Sequence, residues 1–224
     1  MVPMPSTDPV PGVGDRESQR TRLLAVAAQS IMQGLSWARP LVPDLADYPL
    51  TLQAQRATFV TLKRADMLRG CIGVLEPKRS LVDDIAQNAY RAAFEDPRFA
   101  PLERHELCEL TIEISVLSLP ERLQAASEAD LIAQLRPGVD GLILEDQGQR
   151  ATFLPAVWSQ LPDPKIFLSQ LRRKARLPEN AWSPSLRVSR YTTETFGAAF
   201  AAIPEQAVTR ALAQPLAAVD VPRP

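Results

Sequence analysis

The sequence predicts an α+β fold, a largely antiparallel mixed sheet flanked by helices. Three observations point there. Strand-type runs occur in neighbouring pairs joined by short polar turns, at residues 58–75 and 141–154. Segments with helical spacing stand between these pairs. Strands and helices interleave without the strict β-α-β spacing that a parallel sheet needs.

The chain has 224 residues, enough for one sizeable core in one domain or two joined lobes. Apolar content of 46% and charged content of 23% are ordinary for a globular protein. The net charge of -1 and pI near 5.9 call for neither nucleic acid nor an anionic membrane as partner. No apolar run approaches the ~20 residues of a membrane span. The basic-then-apolar layout of a signal peptide is absent, so a cytoplasmic protein is expected. Two cysteines, Cys71 and Cys108, and one histidine do not make a zinc site of ordinary ligand count without carboxylates. The two cysteines are read as reduced thiols, and no metal or cofactor is expected.

In chain order, residues 1–16 hold Pro3, Pro5, Pro9 and Pro11 and are read as a disordered lead-in. The folded domain is expected over residues 17–203, and 204–224 is an Ala- and Pro-rich tail in which a helix is expected at 205–213. From Glu17, Leu23, Leu24, Ala27, Ala28, Ile31 and Leu35 recur at helical spacing, up to Gly34 and Pro40. Pro40, Pro43 and Pro49 then predict an extended linker. Thr58-Phe59-Val60-Thr61-Leu62 and residues 68–75 predict a hairpin, although Arg64-Ala65-Asp66 lacks the glycine that favours a tight turn.

Ser80 is an N-cap, with Asp83 and Asp84 in the first turn, for a helix ending before Asp96-Pro97. Residues 110–117 alternate, with Ile112, Ile114 and Val116 on one face and Thr111, Glu113, Ser115 and Leu117 on the other. A short helix is expected at 128–135. A second hairpin turns at Gln147-Gly148. Asp163-Pro164 starts a helix that runs to about Lys174, with Phe167, Leu168 and Leu171 inward. Pro178 and Pro184 bracket a loop holding Trp182, and residues 186–193 form a late strand.

These segments carry a family resemblance. Thr58-Phe59-Val60-Thr61-Leu62 followed by Leu68-Arg69-Gly70-Cys71-Ile72-Gly73 resembles the signature of the AMMECR family, called AmmeMemoRadiSam system protein A in microbes. Asp96-Pro97-Arg98-Phe99, the strand at 109–118, Gly141-Leu142-Ile143-Leu144, then Ala151-Thr152-Phe153-Leu154-Pro155-Ala156-Val157, Lys174-Ala175 and Trp182 are similar to its later markers, in the same order. The similarity spans residues 20–200. It implies two closely packed lobes about a mixed sheet, and a radical-SAM protein and a Memo-like protein as partners. It implies no particular reaction. Arg176 stands where the family usually has glycine, which hints at a different helix end.

Chemistry concentrates around Cys71. On a regular strand Arg69, Cys71 and Gly73 share one face, and Leu68, Gly70, Ile72 and Val74 the other, which reads as core. A guanidinium beside a thiol raises its thiolate fraction. Gly70 and Gly73 admit a ligand or another backbone at close range. Cys71 and Arg69 are therefore the candidate catalytic pair, with Arg69 holding an anionic group. The alternative is a small buried cysteine, an arginine paired with a carboxylate, and glycines used for packing.

Asp96 and Arg98, around Pro97, form either a loop beside the site or a turn closed by Asp96 hydrogen bonds. Glu113 needs a partner if its face is buried, Arg69 or Arg98 being at hand, and is ordinary if exposed. Thr152 is a candidate polar cleft residue. His105, the single histidine, lies in a charged run and nothing places it near Cys71, so a histidine-assisted cysteine enzyme is not expected. Arg172, Arg173, Lys174 and Arg176 suit a solvated helix C-terminus, with phosphate or RNA contact as the alternative. The expected function is a component of the three-protein system with its site around the Leu68–Gly73 motif. The alternatives are a non-catalytic adaptor and an RNA- or nucleotide-binding regulator.

Overall fold

The computed structural model describes residues 13–178, 182–183 and 185–204. The C-terminal helix expected at 205–213, the tail and most of the Pro-rich lead-in lie outside them. The described chain divides into two compact units, one running to Ile114 and resuming at Phe196, the other Ser115–Thr195.

The first unit opens with α1 (Val13–Trp37), which starts four residues before the expected Glu17. The Pro-rich linker is not simply extended. It makes a 3-10 turn at Leu45–Asp47, capped by Asp44, and a four-residue helix, α2 (Leu50–Gln53), begun by Pro49. Proline is tolerated at a helix start because its missing N–H is unpaired there in any case. β1 (Thr58–Arg64) and β2 (Met67–Gly73) form the first hairpin. Its turn residues Ala65 and Asp66 take φ of 47° and 61°, the left-handed region a tight hairpin needs even without glycine.

α3 (Leu81–Phe94) begins where Ser80 accepts a hydrogen bond from the Asp83 N–H. It packs on β1 and β2, and α1 packs on α3. Ala27, Ala28, Ala86, Ala89 and Ala92 are fully buried. Ser30 donates to the Ala86 carbonyl and accepts from the Leu41 N–H, tying α1, α3 and the linker together. β3 (Leu110–Leu117) buries Ile112 and Ile114, each contributing about 1.5–3 kcal/mol.

Beyond Ile114 the alternation of β3 breaks. Leu117, expected on the polar face, is buried, and Val116 only half-buried, where the chain passes into the second unit. The residues expected as one late strand at 186–193 form part of two, β7 (Arg187–Tyr191) and β8 (Thr193–Ala199). The first sheet has the order β2-β1-β3-β8, so β2 is an edge strand.

The second unit adds β4 (Glu121–Leu123), α4 (Glu128–Gln134), β5 (Gly141–Asp146), β6 (Gln149–Phe153) and α5 (Pro164–Lys174). β4, three residues long, carries too little pattern to have been expected. The sheet order is β4-β7-β5-β6, with antiparallel pairing throughout. The second hairpin turns through Gln147 (φ 49°) and Gly148 (φ 77°) as expected. Asp163 caps α5 by accepting from the Lys165 and Ile166 N–H groups. Phe167, Leu168 and Leu171 are fully buried. Trp158 stacks on Phe167 at 3.8 Å and donates its indole N–H to the Asp140 carbonyl. Trp182 packs against this core.

The basic end of α5 is not a uniformly solvated cluster. Arg172 is only 2% exposed and ion-pairs with Glu128 of α4. Lys174 donates to the Thr152 carbonyl over the Phe153 ring. Arg176 takes φ of 58°. With Leu177 N–H bonded to the Arg172 carbonyl and Arg176 N–H to that of Arg173, it closes a Schellman motif. The helix end is therefore the one a glycine would make, held by an arginine.

Candidate functional site

β2 carries the site, and a slip in its pairing with β1 shapes it. Arg64 pairs with Met67 and Lys63 with Leu68, but Leu62 pairs with Gly70 and Thr61 with Cys71. One residue, Arg69, is thereby added on β2. An added residue breaks face alternation. Leu68 is accordingly 45% exposed rather than sharing a core face with Gly70. Of the expected core set on β2, Gly70 alone is buried, while Ile72 and the following Val74 are half-buried.

The glycines serve close packing. A Cβ on Gly70 would lie 2.1 Å from the Ala92 carbonyl oxygen of α3. One on Gly73 would lie 2.3 Å from the Phe59 ring. The first lets the edge strand approach the helix backbone, and the second seats Phe59.

Cys71 is a half-buried free thiol. Its sulfur accepts from the Thr61 hydroxyl at 3.3 Å, directly across the hairpin. Its backbone N–H donates to Asp96 Oδ2 at 2.9 Å, and its carbonyl accepts from Arg98 Nη2 at 3.2 Å. Asp96 sits just beyond α3 and is buried, and Arg98 is half-exposed. The Asp96-Pro97-Arg98-Phe99 turn closes on itself. Arg98 N–H and Nε donate to Asp96 Oδ1, Nη2 donates to Oδ2, and Phe99 N–H donates to the Asp96 carbonyl. The Arg98 guanidinium holds the Asp96 carboxyl well below the ordinary carboxylate range, against the cost of burial.

Arg69 points to a different partner. Its Nε and Nη2 make a two-pronged bond with Glu106, at 2.8 and 2.9 Å. Glu106 lies in a 3-10 turn, Arg104–Glu109, and also accepts from the Glu103 N–H. The Arg69 fork, together with that backbone bond and Arg64, holds Glu106 down to about 2. Arg69 Nη1 is buried without a hydrogen-bond acceptor. The Arg69 and Arg98 guanidinium carbons lie 5.9 and 5.5 Å from the centroid of one ring, Phe99. Arg69 thus holds an anion that belongs to this chain.

Glu113 pairs with Lys63 at 2.9 Å, not with Arg69 or Arg98. Arg64 bonds Glu109. Lys63, Arg64, Arg69 and Arg98 are each matched by a carboxylate, so these pairs add no net charge. His105 is exposed and faces Glu103.

Thr152 belongs to the second unit. Its hydroxyl bonds the Leu142 carbonyl and the Tyr191 hydroxyl. Burial pushes the Tyr191 phenol up to about 12. Among the described residues, no group of three or more His, Cys, Asp or Glu is arranged to hold a metal ion, and no helix is long and apolar enough to cross a membrane.

Sequence reasoning missed Thr61, Glu106 and Phe99. Thr61 was recoverable only with the pairing slip in hand. Glu106 stands in a charged run that reads as solvated surface.

The geometry defines an α+β protein with an antiparallel hairpin edge that carries a half-buried thiol. The chain belongs to the AMMECR1 family, which it matches over residues 24–196. A relative from Methanothermobacter thermautotrophicus is 39% identical over 184 residues, covering 81% of this chain and 94% of its own. Protein TK0174 of Thermococcus kodakarensis is 36% identical over 78% of this chain and 87% of its own. The crystal structure of uncharacterized protein PH0010 from Pyrococcus horikoshii superposes with a TM-score of 0.68 at 32% identity, covering 78% of this chain and 89% of that one.

Proposed function

We propose that this AMMECR-family protein works in the cytoplasm with a radical-SAM protein and a Memo-like protein, and that the β2 face around Cys71 receives their common substrate or a partner surface. The observation that carries the reading is the half-buried Cys71 thiol, bonded by Thr61 and fixed through its backbone by the Asp96–Arg98 turn. The partnership itself rests on the family resemblance.

In this reading Cys71 meets the incoming group and half-exposed Arg98 is the cation beside it. Gly70, Gly73 and Asp96 hold the strand in place. Arg69 braces it through Glu106, and Lys63–Glu113 forms the polar flank. The Thr152 hydroxyl bonds the Leu142 carbonyl and the Tyr191 hydroxyl, and the reading does not draw on it.

Replacing Cys71 by Ala and by Ser, and assaying the three proteins together, tests the reading. Loss of turnover in both variants is expected if the thiol reacts. Full turnover in both removes a covalent role and leaves the adaptor reading, which the same face suits because its ion pairs are already balanced. An RNA contact at the end of α5 has less support, since Arg172 is buried and Lys174 is engaged with Thr152 and Phe153.

A further inference from the structure

β2 is an edge strand, and an edge strand normally presents unpaired N–H and C=O groups that invite another strand. Along an antiparallel pair, alternate residues direct their backbone groups inward and outward. Val74 N–H bonds the Thr58 carbonyl, so the even-numbered residues at this end of β2 face β1. Cys71, between Gly70 and Ile72, therefore turns its backbone outward. A neighbouring strand would give that residue one acceptor and one donor.

The Asp96–Arg98 turn gives both. Asp96 Oδ2 accepts from Cys71 N–H at 2.9 Å, and Arg98 Nη2 donates to the Cys71 carbonyl at 3.2 Å. The ring closes because the same Nη2 also donates to the same Oδ2 at 2.7 Å. Two further bonds from Arg98 to Asp96 Oδ1 keep the carboxylate and guanidinium side by side.

We propose that Asp96 and Arg98 act as a surrogate strand, a positioning pair that occupies the outward backbone groups of Cys71, closes the β2 edge at that rung and fixes the direction of the thiol. The neighbouring observations agree. Gly70, the preceding residue, runs close against the α3 backbone at Ala92, and the Thr61 hydroxyl holds the sulfur from across the hairpin. The importance given to the thiol rests on the function proposed above, but the clamp is measured on the isolated protein, and its failure is separable from failure of that function.

The experiment is residue-resolved amide exchange on the full chain, with alkylation of Cys71 followed in a Cys108→Ser background. Asp96→Ala is expected to speed exchange of the Cys71 amide about 10- to 100-fold, with Gly70 and Ile72 little changed, as loss of a charged acceptor predicts. Asp96→Asn, which keeps an acceptor oxygen, is expected to restore most of that protection and to return the alkylation rate toward that of the parent. Arg98→Ala, at a half-exposed position, should fold and produce a smaller loss of protection at the same amide. Unchanged protection of Cys71 in folded Asp96→Ala, or in Arg98→Ala should Asp96→Ala not fold, overturns the proposal. So does equal loosening of Gly70, Cys71 and Ile72, which would mark general fraying of the edge.

Discussion

The sheet of the second unit and that of the first each contain a hairpin with a two-residue left-handed turn and a helix packed on one face, yet they treat their polar side chains differently. In the second, Thr152 and Tyr191 bond each other and nearby carbonyls, Asp140 holds Arg136, and Arg172 is buried against Glu128. Those bonds hold strands and helices together. In the first, Arg69 and Arg98 likewise close on carboxylates, but they do so around a residue whose own side chain remains half-buried. Both units use buried polar groups to finish a core, the first through Ser30 and the Thr58–Asp84–Asn88 cluster. Only the first also uses them to frame a thiol.

The sharpest way to break this contrast is to remove Glu106. Arg69 would then be a largely buried cation without its carboxylate, and Glu106→Ala should cost about 3–5 kcal/mol in urea unfolding. The pair also sets an acid dependence. The folded pKa of Glu106 lies below its ordinary value, so its contribution is complete above about pH 4.5 and is lost as the pH falls toward 2. Thermal scans between pH 6 and 3 should show that loss, and Glu106→Gln should flatten it.

Next in size is Gly70→Ala. The new methyl would meet the α3 backbone, which cannot rotate away, and about 3 kcal/mol of destabilisation is expected. The matching change in the second unit, Gly148→Ala, meets open space and should cost only about 1 kcal/mol, from its positive φ. Equal costs would mean that the approach of β2 to α3 is looser than described. The smallest effect is a gain. Arg176→Gly relieves a left-handed arginine and should stabilise the second unit by about 0.5–1 kcal/mol by denaturant midpoint.

Much of this was legible where the deciding signal is local. The two hairpins, the Ser80 and Asp163 caps and the inward face of α5 follow from neighbouring residues alone. What escaped depends on partners distant in sequence or on backbone irregularity. The added residue at Arg69 leaves no mark in composition, yet it moved Leu68 to the surface. The burial of Arg172 follows from Glu128, which is 44 residues away. Arg69 was expected beside a thiol and open to an anion, but Glu106, in a run that looks like solvated surface, already fills that role. Of the two readings open for Asp96 and Arg98, a loop beside the site or a turn closed by Asp96 hydrogen bonds, the bonds of the turn are present. That the same turn grips the Cys71 backbone depends on bonds between residues 25 and 27 apart in sequence.

The most direct test of the central claim, that the Cys71 face receives a partner or substrate, is thiol footprinting. The Cys108→Ser protein is alkylated with a maleimide, alone and with the Memo-like and radical-SAM proteins present. Marked slowing at Cys71 in the mixture is the predicted result, and an identical rate with and without them would contradict the account.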